Sequence, residues 1–168
     1  FWERHDRKEV LSHVSMTKSA PFLMEKMAKT KRFQTAKLSG YINDISDEEQ
    51  SQFSVVCIRL SDESLYVAFS GTDDTIIGWR ENFNMGFLDT TPGQLKAVDY
   101  LNAAVRESDQ TVRVGGHSKG GNLAVYSSVK CDKSVQQKIV NVYNNDGPGF
   151  SRDLIESEAY QSMLPKIS

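Results

Sequence analysis

Val112-Arg113-Val114-Gly115-Gly116-His117-Ser118-Lys119-Gly120-Gly121-Asn122-Leu123-Ala124-Val125-Tyr126 is the stretch on which the reading of this chain turns. Val112 and Val114 alternate as a strand does, and Leu123, Ala124 and Val129 lay an apolar stripe along a following helix. Between the two, Gly116-His117-Ser118-Lys119-Gly120 fits G-x-S-x-G, the pattern of a nucleophile elbow. The spacing has a physical cause. A serine held on a sharp strand-to-helix turn has a strained backbone, so the residues two before and two after it must lack a Cβ. The helix that follows aims its first N–H groups at the place where negative charge would develop. The competing reading is a chance match on an ordinary turn with a solvated serine. The strand before and the helix after weigh against it.

Outward from the elbow, strands and helices alternate. Thr91-Pro92-Gly93-Gln94 opens a helix with a Thr cap, Pro in the first turn and Gln three residues on, and Leu95, Val98, Leu101 and Val105 carry it to about residue 107. Ile139, Val140 and Val142 mark a strand over 138–143, and Ser151 caps a final helix over about 152–163. Upstream, Phe53–Leu60 and Leu65–Phe69 read as two strands joined by a short turn. The second is nearly all apolar, as a strand buried on both faces is. It runs into Ser70-Gly71-Thr72-Asp73-Asp74-Thr75, a loop at a strand's carboxyl end, where such folds place ligand-facing groups. Residues 76–90, with Trp79, read as a turn and an irregular segment packed on the sheet. Residues 38–52 carry loop signals, with Ser46-Asp47-Glu48-Glu49 as the capping box of a short helical turn. Asp44, Asp47, Glu48 and Glu49 match no calcium loop and read as surface acid. Residues 1–37 read as helical and basic, with small apolar stripes at Val10, Leu11, Val14 and at Phe22, Leu23, Met27; His5 and His13 lie here as surface groups.

The expectation is a single α/β domain over 1–168, in which a helical segment 1–52 packs on or caps a sheet core 53–168. The sheet is expected to be mostly parallel with helices on both faces. The 168 residues suffice for one real core, and a net charge of −2 with mixed signs argues against nucleic acid as the main partner. No apolar run reaches the roughly 18–20 residues of a membrane span. Two cysteines, Cys57 and Cys131, without C-x-x-C spacing point to a reducing, cytoplasmic compartment, and the three histidines have no metal-ligand spacing.

Three motifs together resemble a known family. Gly115-Gly116-His117-Ser118-Lys119-Gly120-Gly121-Asn122-Leu123-Ala124, Val67-Ala68-Phe69-Ser70-Gly71-Thr72 and Asn144-Asn145-Asp146-Gly147-Pro148-Gly149-Phe150 are similar, in order and spacing, to a bacterial group of lipase-like α/β-hydrolases. That group is known chiefly as a domain of unknown function and is related to class 3 lipases. Ser70 stands where those lipases usually carry Arg. The resemblance implies an α/β-hydrolase fold. It makes Ser118 the nucleophile, the amides of Thr72 and Lys119 the oxyanion hole, and Gly116 and Gly120 the elbow glycines, with His117 structural. No metal or cofactor is implied, and the partner is a small-molecule or lipid ester. Asp146, after the last strand, is the best-placed acid for a triad, set against a loop Asp bonding its own backbone. Lys119 reads either as a cation for an anionic substrate group or as a solvated residue at a helix start.

A serine needs a base, and no histidine follows Ser118. The resemblance implies that the family continues with a further strand, acid and histidine, so the fold is expected to be incomplete at its C-terminus, with these segments beyond Ser168. The function expected is ester hydrolysis by a lipase- or esterase-like enzyme. The alternatives are a catalytically inactive hydrolase fold used for binding or scaffolding, and thioesterase or acyltransferase chemistry on the same serine.

Overall fold

The computed structural model describes residues 6, 8, 20–73 and 75–168. The chain divides into two compact units, residues 1–36 and residues 37–168. In the first, helix α1 (Ala20–Ala28) carries Pro21 in its first turn, where a missing N–H costs nothing. Leu23 is exposed, while Phe22 and Met27 are half-buried. Val10, Leu11, Val14, His5 and His13 lie outside the described residues.

The second unit is a mixed α/β structure. Its strands are β1 (Lys37–Ser46), β2 (Ser51–Arg59), β3 (Leu65–Phe69), β4 (Val112–His117) and β5 (Ile139–Asn145), and they lie in the sheet in chain order. β1 pairs with β2, and β2 with β3, antiparallel; β3 with β4, and β4 with β5, are parallel. The sheet is thus half parallel rather than mostly so, because β1 exists. Residues 37–46 are strand, not helix or loop, so the helical segment does not extend to residue 52. Their polar sequence gives no periodicity. What makes them a strand is pairing with β2, from Lys37 opposite Arg59 to Ser46 opposite Ser51, with a bulge between Ser39 and Ile42. The Ser46 hydroxyl accepts from the Glu49 N–H at 3.1 Å, as in a cap, but the segment closes as a hairpin turn. Asp44 and Glu49 both meet Lys96 Nζ at 2.6 Å, so two of the four acids there are matched by a cation of the chain.

The helices of this unit are α2 (Ile76–Asn84), α3 (Pro92–Ala104), α4 (Lys119–Lys130), α5 (Lys133–Gln136), α6 (Arg152–Glu156) and α7 (Glu158–Met163). α2 replaces the expected irregular segment. Thr75 caps it, its hydroxyl accepting from the Gly78 N–H at 3.0 Å. Trp79 is turned to solvent instead of the sheet, as are Ile76 and Phe83 on the same helix and Phe87 beyond it. α3 begins with the full reciprocal capping box of Thr91 and Gln94. It buries Ala97 and Leu101, and Leu95 faces outward. The last helical segment breaks at Ser157, which ends α6 and caps α7.

α4 is buried at every position from Lys119 to Val129, more than one apolar stripe requires. It packs on β3, β4 and β5 and against α3. Val55, Val67, Val112, Val114, Leu101, Leu123, Ile139 and Val142, each at most 1% exposed, form the centre of the core. α3 and α4, the two longest helices, therefore share one face of the sheet instead of covering both. The opposite face carries Tyr66 and Tyr143, half-buried and stacked with ring centroids 6.1 Å apart. Cys57 and Cys131 are buried and free. No helix among the described residues is long and apolar enough to cross a membrane.

Candidate active site

β4 ends at His117 and α4 begins at Lys119, so Ser118 alone makes the turn. Its backbone adopts φ 55°, ψ −128°, a conformation that L side chains rarely take. Hydrogen bonds hold it there. The Ser118 N–H donates to the Asn145 carbonyl at 2.9 Å, and the Ser118 carbonyl accepts from the Gly121 N–H at 2.9 Å. The elbow glycines allow the turn to press on β3. A Cβ on Gly116 would stand 2.6 Å from the Phe69 carbonyl oxygen, and one on Gly120 would run into that same oxygen and lie 2.9 Å from the Ser70 carbonyl carbon. The absence of side chains thus serves the contact with the end of β3 as much as the turn itself.

The loop after β3 lies directly on the elbow. A Cβ on Gly71 would be 3.5 Å from the Ser118 Cβ. Around the serine, polar groups stand free. The Ser118 hydroxyl makes no cap hydrogen bond. The amides of Thr72 and Lys119 donate to no acceptor among the described residues, and the Thr72 hydroxyl is buried without a partner. Unpaired buried donors are rare in folded chains, since each one costs about 1–3 kcal/mol. Ser118, Thr72, Lys119, Gly116 and Gly120 are thus brought together.

Asp146 is only partly drawn in. Its loop follows β5 and backs onto the elbow: a Cβ on Gly147 would lie 2.9 Å from the Ser118 carbonyl oxygen. Asp146 has φ 59°, yet its carboxylate is exposed and makes no hydrogen bond or ion pair among the described residues. His117 is likewise exposed.

Three residues with large roles escape a sequence reading. Asn122, fully buried, donates to the carbonyls of Pro148 and Gly149 at 3.0 and 3.2 Å and accepts from Gln94 Nε2 at 2.8 Å. It ties the Asp146 loop to α4 and α3. The other two surround Lys119, which is neither solvated nor open to a substrate. Its side chain is 0% exposed. The ammonium donates to the Gln52 carbonyl, to Gln52 Oε1 at 2.6 Å and to Glu81 Oε2 at 2.8 Å. Glu81, also 0% exposed, accepts in addition from the Gln52 N–H and the Gly93 N–H, each at 2.9 Å. Burial holds the Lys119 pKa below the ordinary lysine value, against the upward pull of Glu81. The Thr75 cap was the available signal: it starts a helix that turns Gly78 and Glu81, three residues apart, to the same buried side.

A family model described as Mbeg1-like matches residues 27–168 of the chain. No curated protein and no solved structure gives a match.

Proposed function

The chain belongs to the Mbeg1-like family, and we propose that its member here is a serine hydrolase of the lipase-related α/β-hydrolase type, cleaving acyl esters at Ser118. The observation that carries this reading is the strained Ser118 backbone at the start of α4, flanked by the amides of Thr72 and Lys119, which have no acceptor among the described residues. Strain of this kind persists only where surrounding structure enforces it. Free amides on either side of a serine are what a developing oxyanion needs.

In this mechanism Ser118 Oγ bonds to the ester carbonyl carbon while its proton passes to a base. The carbonyl oxygen takes the negative charge and accepts hydrogen bonds from the Lys119 and Thr72 amides. The carbonyl–alkoxy bond then breaks, and the alcohol leaves with the proton. Water repeats the sequence on the acyl-enzyme and releases the acid. A histidine base would come from outside residues 119–168, none of which is a histidine. Asp146 would orient it, and acyl transfer to a serine calls for neither metal nor cofactor. A small or lipid ester is the substrate class.

Asp146, exposed and without a partner among the described residues, favours a second reading, a hydrolase fold that binds without turning over. A fluorophosphonate probe on the full-length protein separates the two. Labelling that disappears in Ser118→Ala establishes an activated serine. Folded wild-type protein that takes no label sinks the hydrolase reading and leaves the binding module.

A further inference from the structure

The side chain directly after the proposed nucleophile is a buried lysine whose three ammonium protons are all accepted within the protein. A charge spent in this way does not serve a substrate anion. Its partners show what it joins. Gln52 lies at the start of β2, Glu81 on the inner side of α2, and Gly93, which donates to the other Glu81 oxygen, at the start of α3. Gln52 Oε1 also accepts from the Asp73 N–H at 3.4 Å, one residue past Thr72. Gly78, one turn before Glu81, packs against Thr72: a Cβ there would be 3.2 Å from the Thr72 methyl group. The segment carrying the Thr72 amide is therefore gripped from two directions by groups that converge on the Lys119 ammonium. The Lys119 amide belongs to the same residue.

We propose that the Lys119–Glu81 pair, bridged by Gln52, positions the oxyanion site by locking the Thr72 loop and the start of α4 to one buried node. The proposal rests on the serine-hydrolase reading. An apolar pair could fill the same volume, but directional hydrogen bonds select one placement of the two segments. Placement matters because a displacement of about 1 Å can lower a rate about 100-fold. Lys119 and Glu81 are positioning residues in this account, acting through the amides and not on substrate.

The test uses the full-length protein, p-nitrophenyl esters and a trifluoromethyl ketone as oxyanion analogue, with circular dichroism to establish folding. Glu81→Gln keeps shape and volume and loses the charge. It is expected to lower kcat about 10-fold or more, with KM within about twofold of wild type, and to weaken the ketone in step with kcat. Lys119→Met should lose about 100-fold in the same pattern. A purely structural pair would lower the melting temperature and leave kcat per folded site unchanged. Wild-type kcat and ketone affinity in folded Glu81→Gln overturn the proposal, as does failure of both variants to fold, which would make the pair architecture alone. Wild-type protein that neither labels at Ser118 nor cleaves esters fails the hydrolase reading itself, and that result is distinct from loss in the variants only.

Discussion

Ser118 holds a positive φ that glycine adopts without strain and serine does not. Such a conformation costs about 1–3 kcal/mol, part of which glycine returns through its greater freedom in the unfolded chain. Ser118→Gly should therefore be more stable than wild type by about 1 kcal/mol, a rise of about 2–4 °C in melting temperature for a chain of this size. Ser118→Ala keeps a Cβ in the same conformation and should not gain. Thermal melts of the two variants decide the matter: a Ser118→Gly protein no more stable than Ser118→Ala would mean the turn is not strained. The same substitution removes the reactive hydroxyl, so stability and the proposed chemistry pull in opposite directions at one residue.

At the level of elements, α2 and α4 show how differently two helices can be held. α2 turns Ile76, Trp79 and Phe83 to solvent and is anchored inward through Glu81. Its outer face contributes little to stability, so Phe83→Ser should change unfolding free energy by no more than about 0.5 kcal/mol. α4 has no outer face. Asn122→Ala on it would leave the Gln94 amide and the Pro148 and Gly149 carbonyls without their buried partner, at a cost of about 3 kcal/mol. Urea unfolding of the two variants measures both, and equal losses would contradict the burial described. Truncating one partner of the Lys119–Glu81 pair belongs to the costly class, about 3–5 kcal/mol, since it strands a buried charge. Glu81→Gln also leaves Lys119 without its counter-charge, but it keeps the volume and a hydrogen-bonding oxygen, so it adds no cavity to that cost.

Across residues 37–168, burial runs from complete over Lys119–Val129 of α4 to almost none in β1, exposed along its length except at Ser46. Amide hydrogen exchange should follow that gradient, with α4 and β4 last to exchange and β1 opening well before the global transition. Uniform exchange through the sheet would be the contrary result. Much of this unit is legible in the chain alone. The alternation at Val112 and Val114, the G-x-S-x-G spacing around Ser118 and the Thr91–Gln94 box are local patterns, read within a few residues, and each lies where it was expected. β1, the half-antiparallel sheet and the Lys119 node were not legible. A polar run becomes a strand only because β2 offers it a partner, and a lysine beside a serine becomes interior only because Glu81 and Gln52 arrive from 38 and 67 residues away. The turn at Ser118, its flanking strand and helix and the mixed α/β class follow from the order of residues, since periodicity, capping and missing Cβ atoms act over short range. Which strands pair antiparallel, which charges are buried and which amides beside Ser118 find no acceptor among the described residues follow from long-range pairing, and so only from the folded chain.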